Sequence, residues 1–235
     1  MKKILFTGFT LALFLFAGVL HAQRPDSRNP RYVDSYGLNF GFRAGAFFGF
    51  HDISRNLDSD IYNSLTNFNF ALYRIFPLSG SLFFQSELNF MIIQGIEGKG
   101  SVYTGTSGMY VNVSNKISYS SIDIPLLLKY CFLGGPEQLG FLGGLHLSLT
   151  PGAIDAEGIN LASAEYSQGK WSYDSNIATF GFTAGLFAGI PAGQRRLTGD
   201  IRLIYDVNDL TIKEGGNTLR ILKRRGLAVT AGFEF

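Results

Sequence analysis

The chain has 235 residues, of which 46% are hydrophobic and 16% charged, and it contains 29 glycines and 22 phenylalanines. Two of its 20 basic residues, Lys2 and Lys3, lie in the predicted signal peptide, which leaves 18 basic residues to balance the 18 acidic ones. This neutral balance argues against a nucleic-acid-binding protein. The single cysteine, Cys131, excludes an intramolecular disulfide, and we interpret it as a small buried residue.

The amino-terminal residues have the layout of a secretory signal peptide. Two lysines precede an uncharged apolar run over residues 4–20, and a small residue, Ala22, precedes a polar stretch. We predict cleavage after Ala22, with an uncleaved anchor as the competing interpretation. The predicted signal peptide thus covers residues 1–22.

The rest of the chain lacks an apolar stretch near the ~20 residues of a transmembrane helix, so it can enter a bilayer only as a closed barrel. Apolar residues instead alternate with small or polar ones, which is typical of two-faced strands. The pattern recurs in eight segments, around residues 38–50, 68–76, 82–92, 120–132, 141–149, 180–190, 200–207 and 227–235.

The polarity of the two faces favours a membrane barrel over a soluble periplasmic one. One face is an almost unbroken row of Phe, Leu and Ile, whereas the other carries small residues and a few charges of both signs. A soluble barrel would point its apolar face inward and carry its charges outside. The pattern therefore predicts lipid outside and polar side chains inside.

Long and short connections between the segments alternate strictly. The long ones cover residues 51–66, 94–117, 151–176 and 208–219, and the short ones cover 77–80, 134–140 and 191–194. This predicts an all-β, eight-stranded antiparallel up-and-down transmembrane β-barrel with its long loops outside the cell. The predicted organisation is a signal peptide (1–22), a periplasmic N-terminal segment (23–36) and an outer-membrane β-barrel domain (37–235). Residues 99–120, and 151–176 with Tyr166, Trp171 and Tyr173, suit either an adaptable binding surface or solvated hairpin extensions.

Residues 121–130 (SIDIPLLLKY) resemble the IPLLLKY hallmark of the PorT-type outer-membrane β-barrel family. Residues 86–90 (SELNF) and the pair Gly143 and Gly144 are similar to further parts of that pattern, and the likeness spans residues 36–235. The resemblance implies an eight-stranded outer-membrane barrel, and the founding member is associated with type IX secretion. Phe233 and Phe235 resemble the carboxy-terminal signal that the outer-membrane assembly machinery reads.

Eight charged residues share the inward parity: Arg43, Glu87, Asp123, Lys129, Asp200, Arg202, Asp206 and Glu234. An eight-stranded barrel has no room for a wide channel, so these charges must pair with each other or with trapped water. We predict a structural plug, with a proton or ion path, and hence a small pore, as the alternative.

His51, with Asp52 and Ser54 nearby, is the one usable sign of an enzyme. Some lipid A acylases and deacylases use these residue types at the outer rim, but neighbours on a strand point in opposite directions. We therefore predict no catalytic residue. His146 stands alone on the inner face, which predicts a hydrogen-bonded interior residue, and we predict no metal site and no cofactor.

A basic run, Lys223, Arg224 and Arg225, falls near the outer rim of the last strand, where Lys223 and Arg225 share the lipid-facing side. They could bind phosphate groups of lipopolysaccharide or simply snorkel to the interface. The expected partners are outer-membrane lipid and lipopolysaccharide, the assembly machinery and an unidentified extracellular or secretion-system protein. The sequence as a whole predicts a non-enzymatic barrel with a structural, binding or secretion-accessory role carried by its outer loops.

Overall fold

The computed structural model describes residues 40–54, 62–64, 66–104, 109–133, 137–160, 165–176, 178–193, 195–214 and 217–235. The signal peptide and the N-terminal segment lie outside these residues and stay predictions. Among the described residues, no helix is long and apolar enough to cross a membrane.

Eight strands close into an antiparallel barrel, as the alternation predicts. In order around the wall they are β1 (Phe40–Ser54), β3 (Thr66–Ser79), β4 (Leu82–Thr104), β5 (Met109–Leu133), β6 (Gln138–Leu149), β9 (Ala178–Ala192), β10 (Arg195–Asp206) and β12 (Asn217–Glu234). The barrel closes where β12 pairs with β1, from Gly41 opposite Glu234 to Ser54 opposite Ile221. The amide of Phe235 donates to the carbonyl of Phe40 at 2.8 Å at the inner end of this seam.

The strands are longer than the sequence pattern predicts. Strands β4 and β5 have 23 and 25 residues and stay paired up to Thr104 and Met109. Most of residues 94–117, which we predicted as a loop, is therefore a hairpin extension of the wall. Four short strands continue the wall in the same direction: β2 (Tyr62–Ser64), β7 (Ile154–Asn160), β8 (Glu165–Ser175) and β11 (Leu210–Glu214).

These short strands pair in the order β5–β7–β8–β11–β12, with β2 on β4. They stand at the end of the barrel that carries the long connections, which in this class of barrel is the extracellular end. We call this part the outer extension. The described parts of the long connections thus consist largely of strands, in agreement with the hairpin-extension interpretation, and binding by their surface stays a prediction.

An apolar belt surrounds the barrel below the outer extension. Its side chains are large and solvent-accessible; Phe68 is 75% exposed and Leu203 is 64% exposed. Other members are Phe48, Ile92, Leu126, Leu128, Phe141, Leu145, Phe180, Phe182, Leu186, Ile190, Ile201, Val229 and Phe233. A closed barrel with such a belt satisfies its backbone hydrogen bonds within its wall and faces hydrocarbon with apolar side chains. The soluble periplasmic alternative is therefore wrong.

Inside the belt, large rings pack over glycines. A Cβ atom on Gly226 would lie 2.6 Å from the ring of Phe47, and one on Gly140 would lie 2.7 Å from the ring of Phe187. Both rings point inward and are buried. The small glycine positions thus provide the volume that these aromatic side chains fill.

The polarity of both faces reverses where the outer extension begins. Along β5, the outward positions change from apolar at Ile122 to polar at Ser120, Ser118 and Lys116, while the inward Ile117 and Tyr119 are buried. The outer extension thus has its own apolar interior. This outer apolar cluster consists of Ile96, Ile117, Tyr119, Ile154, Ala156, Tyr173, Leu210, Ile212 and Leu222, with Trp171 packed against it.

This placement corrects one interpretation of the sequence. Tyr173, which we weighed as part of an adaptable binding surface, is 4% exposed and belongs to the outer apolar cluster. Trp171 is only partly accessible beside it, and the side chain of Tyr166 lies outside the described residues. Tyr173 and Trp171 pack in a core because the wall continues around them.

Candidate functional site: the charged interior

The structure places all eight charged residues of the inward parity inside the barrel. Seven are buried, and the side chain of Asp200 is 10% exposed. They divide among three levels along the barrel axis. The order of residues along β4 and β10 fixes these levels, because successive inward positions of a strand lie further along the axis.

An inner cluster is formed by Arg43, Glu87, Asp200 and Arg202. Glu87 accepts hydrogen bonds from both Arg43 and Arg202, the latter at 2.9 Å. Asp200 accepts from the same two guanidinium groups, at 3.1 and 2.9 Å. Two cations face two anions, so the inner cluster has no net charge, and each charge gains the partner that burial demands.

An outer cluster is formed by Asp123, His146, Asp206 and Arg224. Arg224 is 2% exposed and reaches Asp123 at 2.9 Å and Asp206 at 3.0 Å. These residues lie on β5, β10 and β12, so one guanidinium ties together three strands. Sequence reasoning missed Arg224, which we read as part of a basic run at the rim. Its parity, which it shares with the inward Ala228 and Glu234, was the signal that would have found it.

His146 bridges two polar partners in the outer cluster. Its Nε2 lies 2.7 Å from Oδ1 of Asp206, and its Nδ1 lies 3.1 Å from the hydroxyl of Thr183. This hydroxyl–imidazole–carboxylate order is that of a nucleophile, base and orienting acid. In this barrel the three groups lie in the interior, where His146 is 3% exposed and Arg224 also engages Asp206. The predicted hydrogen-bonded interior histidine is what the structure contains.

The innermost level holds Lys129, Arg196 and Glu234. Arg196 donates to Glu234 at 2.9 Å, and Nζ of Lys129 lies 4.2 Å from the centre of the Phe187 ring. A cation over an aromatic face gains electrostatic attraction where water is excluded. Lys129 and Glu234, which the sequence placed in the interior, thus lie apart from the inner cluster.

An apolar layer fills part of the level between the inner and outer clusters. It consists of Phe47, Met91, Ile204 and Ala228. On β10 the inward residues are Arg202, Ile204 and Asp206 in order, and Leu210 of β11 follows in the outer extension. Charged and apolar side chains therefore alternate along the axis. Burial raises the pKa of the Tyr119 hydroxyl, which lies in the outer apolar cluster.

The described interior resembles a filled core more than a pore. A cavity of about 10 Å³ lies beside the apolar layer, which is about the space that one water molecule needs. Among the described residues, no three His, Cys, Asp or Glu side chains stand close enough to hold a metal ion.

The candidate rim residues lie on both sides of the β1–β12 seam. His51 pairs with Arg224 and Asp52 with Lys223 in the strand register, but the side chains of His51, Asp52 and Ser54 lie outside the described residues. Lys223 places its Nζ 5.1 Å from the centre of the exposed Tyr205 ring, and Arg225 is exposed on the same face. At the inner end, Phe233 and Phe235 both pack against Phe42.

The sequence matches no protein-family model and no curated protein sequence. Its fold does match solved structures. The outer membrane protein OprG from Pseudomonas aeruginosa superposes with a TM-score of 0.52 at 12% identity, over 84% of this chain and 95% of that one. A major outer membrane protein from Thermus thermophilus gives 0.47 at 13%, over 85% of this chain and 100% of that one. Ail, the attachment invasion locus protein of Yersinia pestis, gives 0.42 at 9%, over 85% and 100%.

At such low identity, the likeness to OprG is one of fold. It agrees with the eight-stranded barrel that the alternation predicts. The closed wall and its apolar belt make the chain an integral barrel of a bacterial outer membrane, as the sequence predicts.

Proposed function

We propose that this barrel is a closed, non-enzymatic outer-membrane protein that acts through its outer extension, in a structural, binding or secretion-accessory role. The observation that carries this proposal is the filled interior. Two charged clusters, the apolar layer between them and the outer apolar cluster occupy successive levels of the barrel. A barrel filled in this way acts through its surfaces, and the outer extension is the part of the described chain that continues the wall beyond the belt.

Ion conductance tests the closed interior directly. Pure protein in planar bilayers is expected to give no stable single-channel currents, because ions would have to displace paired buried charges. An established wide porin, reconstituted in the same bilayers, is the positive control. Stable, large currents from this protein would instead establish the small-pore alternative.

The resemblance to the PorT-type family supports the secretion-accessory form of the proposal. A deletion strain scored for secretion, lipid A composition and envelope integrity tests it. The strain is then complemented with a chain whose residues 99–114 are replaced by a two-residue Asn-Gly turn, which suits a tight hairpin after Gly98 and before Asn115. This variant should insert normally and fail to restore the phenotype. Full restoration would show that the hairpin tip has no part in the function.

The non-enzymatic part of the proposal is tested at His51. His51→Ala should leave the mass spectrum of lipid A unchanged in strains that express it at wild-type level. His51 and Asp52 are consecutive in β1, which supports this expectation because neighbouring side chains on a strand diverge. A change in lipid A acylation that depends on His51 would establish the lipid-modifying alternative.

Two surface contacts complete the proposal. Lys223 and Arg225 at the edge of the belt would bind lipopolysaccharide phosphates, so changing both to alanine should lower the amount of lipopolysaccharide that co-purifies. Phe233 and Phe235 would be read by the assembly machinery, so Phe235→Ala should slow insertion in cells more than spontaneous folding into vesicles. Equal slowing in both settings would assign Phe235 to packing alone.

A further inference from the structure

The small interior cavity is bordered by both charged clusters. Arg43 and Arg202 reach it from the inner cluster, and Asp123 and His146 from the outer one. Asn69 and Asn89 line it from β3 and β4. Each of these two asparagines is 3% exposed, so bulk water does not reach their carboxamides.

Several buried atoms at this cavity have unused hydrogen-bonding capacity. No described residue provides a partner for Oδ1 of Asn69, Oδ1 of Asn89 or Nε of Arg43. A buried polar group without a partner is destabilising, and most such groups in folded proteins bind protein or ordered water. The unused set contains these two acceptors and this donor; Nε of Arg202, which also lacks a hydrogen bond, lies 2.8 Å from Oδ1 of Asp200 in an ion pair.

The strand register brings these three side chains to one place. Asn69 lies opposite Met91 while Asn89 lies opposite Ala71, so the asparagines are diagonal neighbours on the inward face of adjacent strands. Arg43 lies opposite Ala71 from the other side. Diagonal neighbours stand about 7 to 8 Å apart at their backbones, within reach of one bridging molecule between their side chains.

We propose that this cavity binds one structural water molecule. The water donates hydrogen bonds to Oδ1 of Asn69 and Oδ1 of Asn89 and accepts one from the Nε–H of Arg43. Three bonds of this kind are typical of a buried water. By binding all three groups, the water links Arg43 of the inner cluster to Asn69 and Asn89.

Water fits this site better than an ion does. A cation would meet the guanidinium groups of Arg43 and Arg202, and an anion would meet the carboxylate of Asp123. The mixed set of donors and acceptors matches a molecule that both gives and takes hydrogen bonds. The cavity volume of about 10 Å³ admits one water and nothing larger.

Asn89→Leu tests the proposal because it should lower the stability of the protein if the cavity holds a water molecule and raise it if the cavity is dry. Leucine has a similar shape but gives the water no acceptor, so Arg43 and Asn69 lose their shared partner. The urea midpoint of unfolding in lipid vesicles should fall, and oxygen-17 relaxation dispersion should lose one long-lived water. A raised midpoint with an unchanged water count would overturn the proposal, because removing an amide oxygen from a dry cavity relieves an unfavourable burial.

Met91→Leu is the matched control on the same inward face of β4. Met91 is 1% exposed, belongs to the apolar layer and does not line the cavity. Because this change removes no hydrogen-bonding amide, its water count should equal that of the unmodified protein. If Asn89→Leu fails to fold, a crystal structure of the unmodified protein that resolves ordered water decides. Density between the two carboxamide oxygens is expected, and an empty cavity would overturn the proposal.

Discussion

The belt region and the outer extension solve the same packing problem with opposite polarity. In the belt, Leu203 and its neighbours face outward while Arg202 and Asp206 are buried. In the outer extension, Ile212 is buried while the exterior carries rows of opposite charges across strands, such as Lys116, Glu157 and Lys170. The solvent outside decides which side chains turn inward. The same alternation therefore serves lipid at one level and water at the next.

The largest expected effect comes from removing the buried cation of the outer cluster. Arg224→Met leaves Asp123 and Asp206 buried without their guanidinium, which should lower the free energy of unfolding by about 3 to 5 kcal/mol. Urea unfolding in vesicles, followed by the fluorescence of Trp171, measures it. The neighbouring Arg225→Met is the control, because Arg225 faces outward and should change stability by less than about 0.5 kcal/mol. Equal losses would contradict the assignment of Arg224 to the interior.

The second largest effect is expected when a charge is placed on the outward face of the belt, whereas the same change on the outer extension should have little effect. Leu203→Arg puts a cation into the middle of the belt and should cost about 2 to 4 kcal/mol. Ser172→Arg puts the same side chain on the exposed face of the outer extension and should be nearly neutral. Both are read from unfolding midpoints and the fraction of folded protein on unboiled gels. A large cost at Ser172 would place the membrane boundary further out than the belt indicates.

Trimming one methyl group should have a moderate effect that depends on where the side chain points. Ile212→Val in the outer apolar cluster should cost about 0.5 to 1.5 kcal/mol and shift the emission of Trp171 to longer wavelength. Ile201→Val in the belt should cost less, because lipid chains fill the space left on the exterior. A larger loss at Ile201 would show that the outer apolar cluster is loosely packed.

The smallest effect is expected at the exposed ion pair of the outer extension. Nζ of Lys170 lies 3.4 Å from Oε1 of Glu157, with the two side chains 79% and 56% exposed. Solvent and salt screen such a pair, so Lys170→Ala should change stability by less than about 0.5 kcal/mol. The difference between this value and that of Arg224→Met measures how strongly burial raises the importance of an ion pair. Comparable losses of stability for Lys170→Ala and Arg224→Met would mean that the exterior of the outer extension lies within the membrane.

The wall of the barrel was predictable because one rule, apolar outward, holds in every belt segment. The outer extension was not predictable, because the polarity of the two strand faces reverses between Ser121 and Ser120. A segment in which the polarity of the faces changes in this way looks irregular in the sequence. The contacts of the charged interior were also beyond the sequence. Arg43 and Glu87, or Arg224 and Asp123, meet only because the strand register sets them at one level, and register depends on the whole wall.

Arg224 was hidden for a different reason. It stands between Lys223 and Arg225, and three consecutive cations suggest a solvated basic run, although every second residue of a strand must face inward. Once the strand is known to continue, the position of a residue along it predicts whether its side chain faces inward, whatever the charge of its neighbours. By the same reasoning, Tyr173 follows the inward parity of β8 and not the polar composition around it.

Because Arg224 lies on β12, its ion pairs with Asp123 and Asp206 form only when the barrel closes. β12 follows the other seven wall strands in the sequence, and the carboxylates of Asp123 and Asp206 belong to strands that precede it. Until β12 docks between β10 and β1, both acids lack this guanidinium. Completion of the wall and the pairing of these two carboxylates with Arg224 are therefore one event.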